Sequence, residues 1–113
     1  VGAFKSYPMY TGCDNTVSMS NQRKCTKNKI SQFIKNNINT YLIKKLNLKS
    51  NERLKLLLLV DKQGNITPSK IKTQNAKIKA EVVDVINKLP QITPGEKIQQ
   101  PASMYIELSI SLN

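Results

Sequence analysis

The sequence predicts an α+β fold of the order α-β-β-α-β, with two helices packed on one face of a three-stranded, mostly antiparallel sheet. Apolar residues recur at period two in two segments, which predicts strands with one buried face: Leu54, Leu56, Leu58 and Val60, and Ile106, Leu108, Ile110 and Leu112. Two further segments show three-and-four spacing, which predicts amphipathic helices. A length of 113 residues favours a single domain, 1–113.

Residues 1–25 show no regular pattern and are expected to be irregular, with Tyr7, Pro8 and Tyr10 as anchors on the core. The αββαβ core then covers 26–113. Thr26 is a suitable N-cap for the first helix. The apolar stripe of this helix comprises Ile30, Phe33, Ile34, Ile38, Tyr41 and Leu42. Asparagines weaken its middle, so a break is expected near Asn39, and 46–52 is interpreted as a polar connection.

A hairpin follows the connection. The segment Asp61–Asn65 supplies its turn, because Gly64 and Asn65 tolerate positive φ. The chain is then extended over Ile66–Thr73. Pro68 lacks a backbone donor, which favours an edge position for this strand, with the last strand paired to the other side of Arg53–Asp61. A bulge or a late strand start at Pro68 is the alternative.

The second helix is predicted from Ala76 to about Lys88, with Asn75 as its cap. Its buried stripe comprises Ile78, Val82, Val85, Ile86 and Leu89. Pro90 ends the helix because the residue before a proline is pushed out of helical geometry. Pro94-Gly95 then turns the chain towards the last strand.

Cys13 and Cys25 are the only cysteines in the chain, and there is no histidine. Their spacing is too wide for a CxxC redox pair, and two cysteines alone do not make a zinc site. A structural disulfide between them is the preferred interpretation, and two free thiols are the alternative. On the chain-entropy model such a loop stabilises the fold by roughly 3 kcal/mol. A disulfide favours an oxidising compartment, such as a periplasm or the outside of a cell.

The charge is unbalanced, with 18 basic and 7 acidic residues and a formal net charge of +11. Most of the basic residues between Arg23 and Lys55 are lysines, and Glu52 is the only acidic residue there. This segment predicts, as a third hypothesis, a basic patch that binds anionic surfaces. Arginine forks and stacking aromatics are scarce in it, so nucleic acid is not expected as a partner.

The sequence offers no catalytic constellation. There is no histidine, no cysteine with a neighbouring base and no glycine-rich phosphate loop. Asp61, Asp84 and Glu107 are the carboxylates to consider, and each fits a turn or an exposed surface. We therefore expect no enzyme activity, no catalytic residues, no cofactor and no metal site. No apolar run approaches the length of a membrane helix. Since the chain begins at Val1, any anchor or export signal is expected upstream.

Several motifs occur in an order that resembles the TonB carboxy-terminal domain family. They are Val60-Asp61-Lys62-x-Gly64-Asn65, Val85-Ile86-x-x-Leu89-Pro90, Pro94-Gly95 and a final Tyr105-x-x-Leu-x-Ile strand. The opening, from Tyr7 to Cys13 with a second cysteine at Cys25, is similar to that of a two-cysteine variant of the family. The chain lacks the Tyr-Pro-x-x-Ala segment that many members have before the first helix, and the proline often found near the centre of the last strand.

This resemblance implies a periplasmic domain of a Gram-negative envelope protein, anchored to the cytoplasmic membrane by a segment outside this chain. Such a domain transmits energy from inner-membrane proton-channel proteins to TonB-dependent outer-membrane transporters. It does so by gripping a transporter's TonB box, which adds as a strand to the sheet. The corresponding edge here comprises Ile66, Thr67, Ser69, Lys70, Ile71, Lys72 and Thr73. Lys70 and Lys72 would favour nearby acidic side chains.

A second hypothesis keeps the fold without transporter coupling. In it, the chain is a structural or sensory envelope domain, which binds another molecule or forms a homodimer through its sheet edge. Peptide binding along Ile66–Thr73 separates this hypothesis from the first, because self-pairing would hide the edge.

Overall fold

The computed structural model describes residues 4–13, 17–38, 53–73, 76–97 and 100–111. The predicted α+β fold is confirmed: the described residues form two helices that pack against a three-stranded antiparallel sheet. The elements in chain order are β1 (Phe4–Ser6), α1 (Met19–Asn37), β2 (Arg53–Val60), β3 (Ile66–Lys72), α2 (Ala76–Asn87), β4 (Gly95–Lys97), β5 (Gln100–Ala102) and β6 (Met104–Ser111).

The main sheet has the order β3-β2-β6, and both neighbours of β2 run antiparallel to it. The predicted pairing of the last strand with β2 is therefore confirmed. This register is unbroken from Arg53 opposite Ser111 to Val60 opposite Met104. The central position of β2 agrees with its sequence, which is the most apolar among the strands of the described residues.

The hydrophobic core lies between one face of this sheet and the two helices. The strands contribute alternate residues to it, because successive side chains of a strand point to opposite faces. The helices contribute residues at three-and-four spacing. Its buried members include Leu54, Leu56, Leu58 and Val60 of β2, Ile106, Leu108 and Ile110 of β6, Ile30 and Ile34 of α1, and Ile78, Val82, Val85 and Ile86 of α2.

The amino-terminal segment is more regular than predicted. Residues 1–25 are not irregular throughout, since they contain β1 and the first turns of α1. Thr26 is not the N-cap of α1. The cap is Ser18, whose Oγ accepts a hydrogen bond from the backbone N–H of Asn21 at 3.3 Å. Serine fills this role because its short side chain satisfies an N–H that has no partner inside the helix.

Thr26 lies inside α1, is fully buried and holds the amino-terminal segment. Its Oγ1 donates to the carbonyl of Pro8 at 2.6 Å and accepts from the backbone N–H of Tyr10 at 3.3 Å. One turn earlier, Oε1 of the buried Gln22 accepts from the backbone N–H of Tyr7 at 2.9 Å. Backbone groups buried outside regular structure need such partners, which explains two polar residues in the buried stripe of α1.

A second, smaller sheet was not predicted. It has the order β1-β4-β5, and all its pairs are antiparallel. Pro94-Gly95 is therefore not simply a turn, because Gly95 is the first residue of β4. Next to this sheet, Met9 and Thr93 exchange backbone hydrogen bonds of 2.9 and 3.1 Å. Each of these strands has 3 residues, too few to show an alternating pattern.

Some predictions fall outside the described residues. They concern the continuation of the first helix to Tyr41 and Leu42, the connection 46–52, the Asn75 cap and the burial of Leu112. Neither helix in the described ranges combines the length and the apolar character that crossing a membrane requires.

Candidate functional site

The predicted peptide-binding strand lies at an edge of the main sheet, as expected. Within the described ranges β3 pairs only with β2, so no described strand lies along its other side. Ile66 is buried and Ile71 is half-buried against the core, whereas four residues are exposed: Thr67, Ser69, Lys70 and Lys72. Thr73 follows the end of β3 and is half-buried. This edge strand therefore packs its apolar side chains against the core and exposes its polar and basic side chains.

A bulge interrupts β3 next to Pro68. Leu58 lies opposite Pro68, and Leu57 lies opposite Lys70, which leaves Ser69 as the extra residue. Pro68 was interpreted as a sign of an edge strand or of a bulge. Both features are present, because β3 is an edge strand and it contains a bulge. The extra residue also shifts the alternation, so that Ile66 and Ile71 both contact the core although their spacing is odd.

The other outer strand, β6, forms a second edge, which was not predicted as a binding site. Its pairing with β2 covers 8 residues without a shift, and it contains no proline. No described strand lies along its far side. The strict alternation of the last strand was the sequence signal for this regular strand. Its buried residues Ile106, Leu108 and Ile110 are separated by the exposed Glu107 and Ser109.

The amino-terminal segment does not pair with either edge of the main sheet in the described residues. Its strand β1 pairs with β4, and the segment after it is hydrogen-bonded to α1.

The predicted disulfide is confirmed: Cys13 and Cys25 are bonded, with their Cα atoms 5.9 Å apart. Cys25 lies inside α1, not before it. Burial raises the pKa of Tyr7 to about 12, against the opposing effect of Arg23.

The carboxylates considered in the sequence lie on separate elements. Asp61 lies in the β2–β3 turn, Asp84 on the exposed side of α2 and Glu107 on the exposed face of β6. The described residues contain no group of three histidine, cysteine, aspartate or glutamate side chains that could hold a metal ion.

Asp61 organises the turn that sets the register of β3. Its Oδ1 accepts hydrogen bonds from the backbone N–H groups of Gln63 and Asn65, both at 2.9 Å. Its carbonyl also accepts from the N–H of Gly64 at 3.0 Å. The hydrogen bond from Asn65 is the main reason that the pKa of Asp61 lies below its usual 3.8; partial desolvation opposes this effect, and the bond from Gln63 adds to it.

We expect the Asp61→Asn variant to unfold at a lower temperature than the parent at neutral pH, because charge-assisted hydrogen bonds are replaced by neutral ones. The folded-state pKa lies below the unfolded value of 3.8, so the carboxylate stabilises the fold above pH 3.8. That contribution is lost as the pH falls through the folded-state pKa. Thermal unfolding between pH 7 and pH 2 should therefore show a difference that shrinks in acid.

Asp84→Asn is the matched control for this experiment, because it removes one carboxylate from an exposed helix position. A difference between Asp61→Asn and the parent that stays constant down to pH 2 would contradict the role given to the ionised Asp61.

Comparison with known proteins found no relative of this chain. No protein-family model, no curated protein and no solved structure matches the chain. The resemblance to the TonB carboxy-terminal domain therefore stays a prediction that depends on the order of the motifs.

Proposed function

We propose that this chain is a non-catalytic, peptide-binding module of the TonB type, which accepts an extended segment of a partner protein as an additional strand of its main sheet. The observation that carries the proposal is the sheet order β3-β2-β6, in which each outer strand has one side that no described strand pairs. Unpaired backbone donors and acceptors along such a side are the groups that a foreign strand completes.

In this proposal the partner is the TonB box of an outer-membrane transporter, and the module is periplasmic. An upstream segment anchors it to the cytoplasmic membrane and connects it with proton-channel proteins there. The disulfide supports the compartment, because such bonds persist where the environment is oxidising. A ladder of backbone hydrogen bonds suits a pulling device, since its bonds share the load.

We propose β3 as the strand that receives the peptide. The exposed Lys70 and Lys72 supply positive charge beside its open side. The bulge at Ser69 and the missing N–H of Pro68 divide the strand, which restricts the peptides that can pair with it. β6 is the second candidate, because its unbroken register offers a longer regular edge.

A titration followed by amide NMR tests this assignment. We expect a TonB-box-like peptide to shift the backbone amides of Ile66–Lys72 and to slow their hydrogen exchange, with a weak dependence on salt. Shifts confined to Met104–Ser111 would transfer the site to β6, and an absence of shifts along both strands would refute strand addition.

Two N-methylated versions of the same peptide provide a matched control. A paired strand presents alternate N–H groups to its neighbour, so methylation of one alternate set should abolish pairing and methylation of the other should not. Each lost bond is worth roughly 1 kcal/mol, so two blocked amides should weaken binding by at least about tenfold. Equal binding of the two versions would show that backbone pairing does not hold the peptide.

Sedimentation at the NMR concentration separates this function from the homodimer hypothesis. We expect a monomer whose edges are accessible. A dimer that dissociates when peptide is added would show that copies of the chain compete for the same edge.

A further inference from the structure

A basic groove lies over the outer face of the main sheet, the face of its exposed side chains, and extends to α1. Lys55 of β2 and Lys70 and Lys72 of β3 line it together with Lys27 of α1, and its volume is about 560 Å³. Glu107 is the only carboxylate among the described residues that line it. We call this surface the outer groove.

The strand register brings two of these lysines together. Lys55 lies directly opposite Lys72, and Lys70 is two residues from Lys72 on the same face of β3. Opposed like charges destabilise a sheet, because their Cβ atoms are only about 5 Å apart. An anion placed between these lysines would offset that repulsion.

An apolar strip adjoins the lysines. Leu57 and Leu59 of β2 are half-buried on the outer face, and Tyr105, which lies opposite Leu59, is 57% exposed. The face therefore offers apolar contacts at one end and positive charge at the other.

We propose that the outer groove binds an acidic, extended segment of a protein partner. Alternate residues of an extended chain are about 7 Å apart, which is also the spacing of Lys70 and Lys72 along β3. Carboxylates at every second position can thus meet these lysines, while an apolar side chain further along on the same side of the segment contacts Leu57 or Leu59. This site lies on a face of the sheet and does not depend on strand addition at its edges.

Other anions fit the outer groove less well. Its described lining has no arginine, the side chain that forms bidentate hydrogen bonds with nucleic acids. Its concave shape also suits a single chain better than a flat bilayer surface.

The test uses the parent chain, the Lys55→Gln/Lys72→Gln variant and a capped eight-residue peptide in which glutamate and threonine alternate. In the parent we expect the peptide to shift the side-chain signals of Lys27, Lys55, Lys70 and Lys72. The variant should bind at least about twofold more weakly, since two exposed cation–carboxylate contacts are lost. It should unfold at no lower temperature than the parent, because the substitutions remove a repulsive pair.

Lys79→Gln/Lys88→Gln is the matched control. Both lysines are exposed and belong to α2 or the turn that follows it, away from the outer groove, and the net charge changes by the same amount. This variant should bind the peptide as the parent does. Equal weakening in the two variants would overturn the proposal in favour of a general charge effect.

A peptide with glutamine in place of glutamate separates this proposal from strand addition. The outer groove should not bind it, whereas pairing through the backbone tolerates the change. An absence of lysine shifts at low salt would overturn the proposal. Tighter binding to duplex DNA, or to vesicles that contain an anionic phospholipid, would overturn the assigned class of ligand.

Discussion

Replacement of Gly64 by alanine is expected to destabilise the domain by about 3 kcal/mol or more, by the sum of two effects. Gly64 has φ +84°, a conformation that residues with a Cβ adopt only with strain. It is also buried, and a Cβ at this position would overlap the backbone carbonyl of Ile92. That overlap would break the 3.0 Å hydrogen bond from the N–H of Ile92 to the carbonyl of Gly64.

Denaturant unfolding of Gly64→Ala measures this effect, and Gly12→Ala is its matched control. Gly12 has φ +94°, but a Cβ there would meet nothing within 4 Å. Its replacement should therefore cost only the backbone strain, about 1 to 2 kcal/mol. The difference between the two variants isolates the overlap with Ile92. Equal destabilisation would show that the added Cβ is accommodated beside Ile92 without further cost.

Removal of the disulfide in Cys13→Ser/Cys25→Ser is expected to lower the free energy of unfolding by about 3 kcal/mol, mainly because the unfolded chain gains conformational freedom. Domains of this kind have a total stability of about 5–15 kcal/mol, so the loss is a large part of it. The fold should persist, since Gln22 and Thr26 still bind the amino-terminal segment through side-chain hydrogen bonds.

Denaturant unfolding with and without reductant measures this loss. The reduced parent should behave like the serine variant. Its denaturant midpoint should fall, while the m-value, the slope of the unfolding free energy against denaturant, should change little. Hydrogen exchange should speed up first in β1, which belongs to the amino-terminal segment, and in β4, which pairs with β1, while β2 and β6 stay protected. An unchanged midpoint after reduction would refute the stabilising role. Lost protection across the main sheet would show that the disulfide stabilises more than the amino-terminal segment.

The parts of the fold that could be predicted are those with long, strong patterns. The alternation in β2 and β6 and the three-and-four spacing in α2 extend over enough residues to indicate both the element and its buried face. The turn at Asp61–Asn65 was predictable because glycine and short polar side chains have specific local roles there. These signals depend on neighbours along the chain.

The start of α1 was predicted wrongly because capping and tertiary roles use the same residue types. Thr26 and Ser18 are both acceptable N-caps by type. What separates them is that Thr26 is buried and bonded to Pro8 and Tyr10, which are distant in sequence. The three-residue strands β1, β4 and β5 were missed for a related reason, since only their pairing defines them.

The candidate sites also combine features that the sequence predicts with features that depend on tertiary contacts. The edge position of β3 followed from Pro68 and from the order of the elements, both of which belong to the sequence. The bulge at Ser69 depends on the residues across from it in β2. The outer groove could not be predicted, because Lys27, Lys55, Lys70 and Lys72 are far apart along the chain and no local spacing connects them.

The sequence predicted the class of fold, the buried faces of its long elements, the hairpin turn and the cysteines available for a disulfide. Local periodicity and residue chemistry are sufficient for these features. Packing in three dimensions sets where α1 begins, how the amino-terminal segment is held, where β3 bulges and which lysines meet on the outer face. Each of these depends on contacts between residues that are distant in the chain, which a linear pattern does not encode.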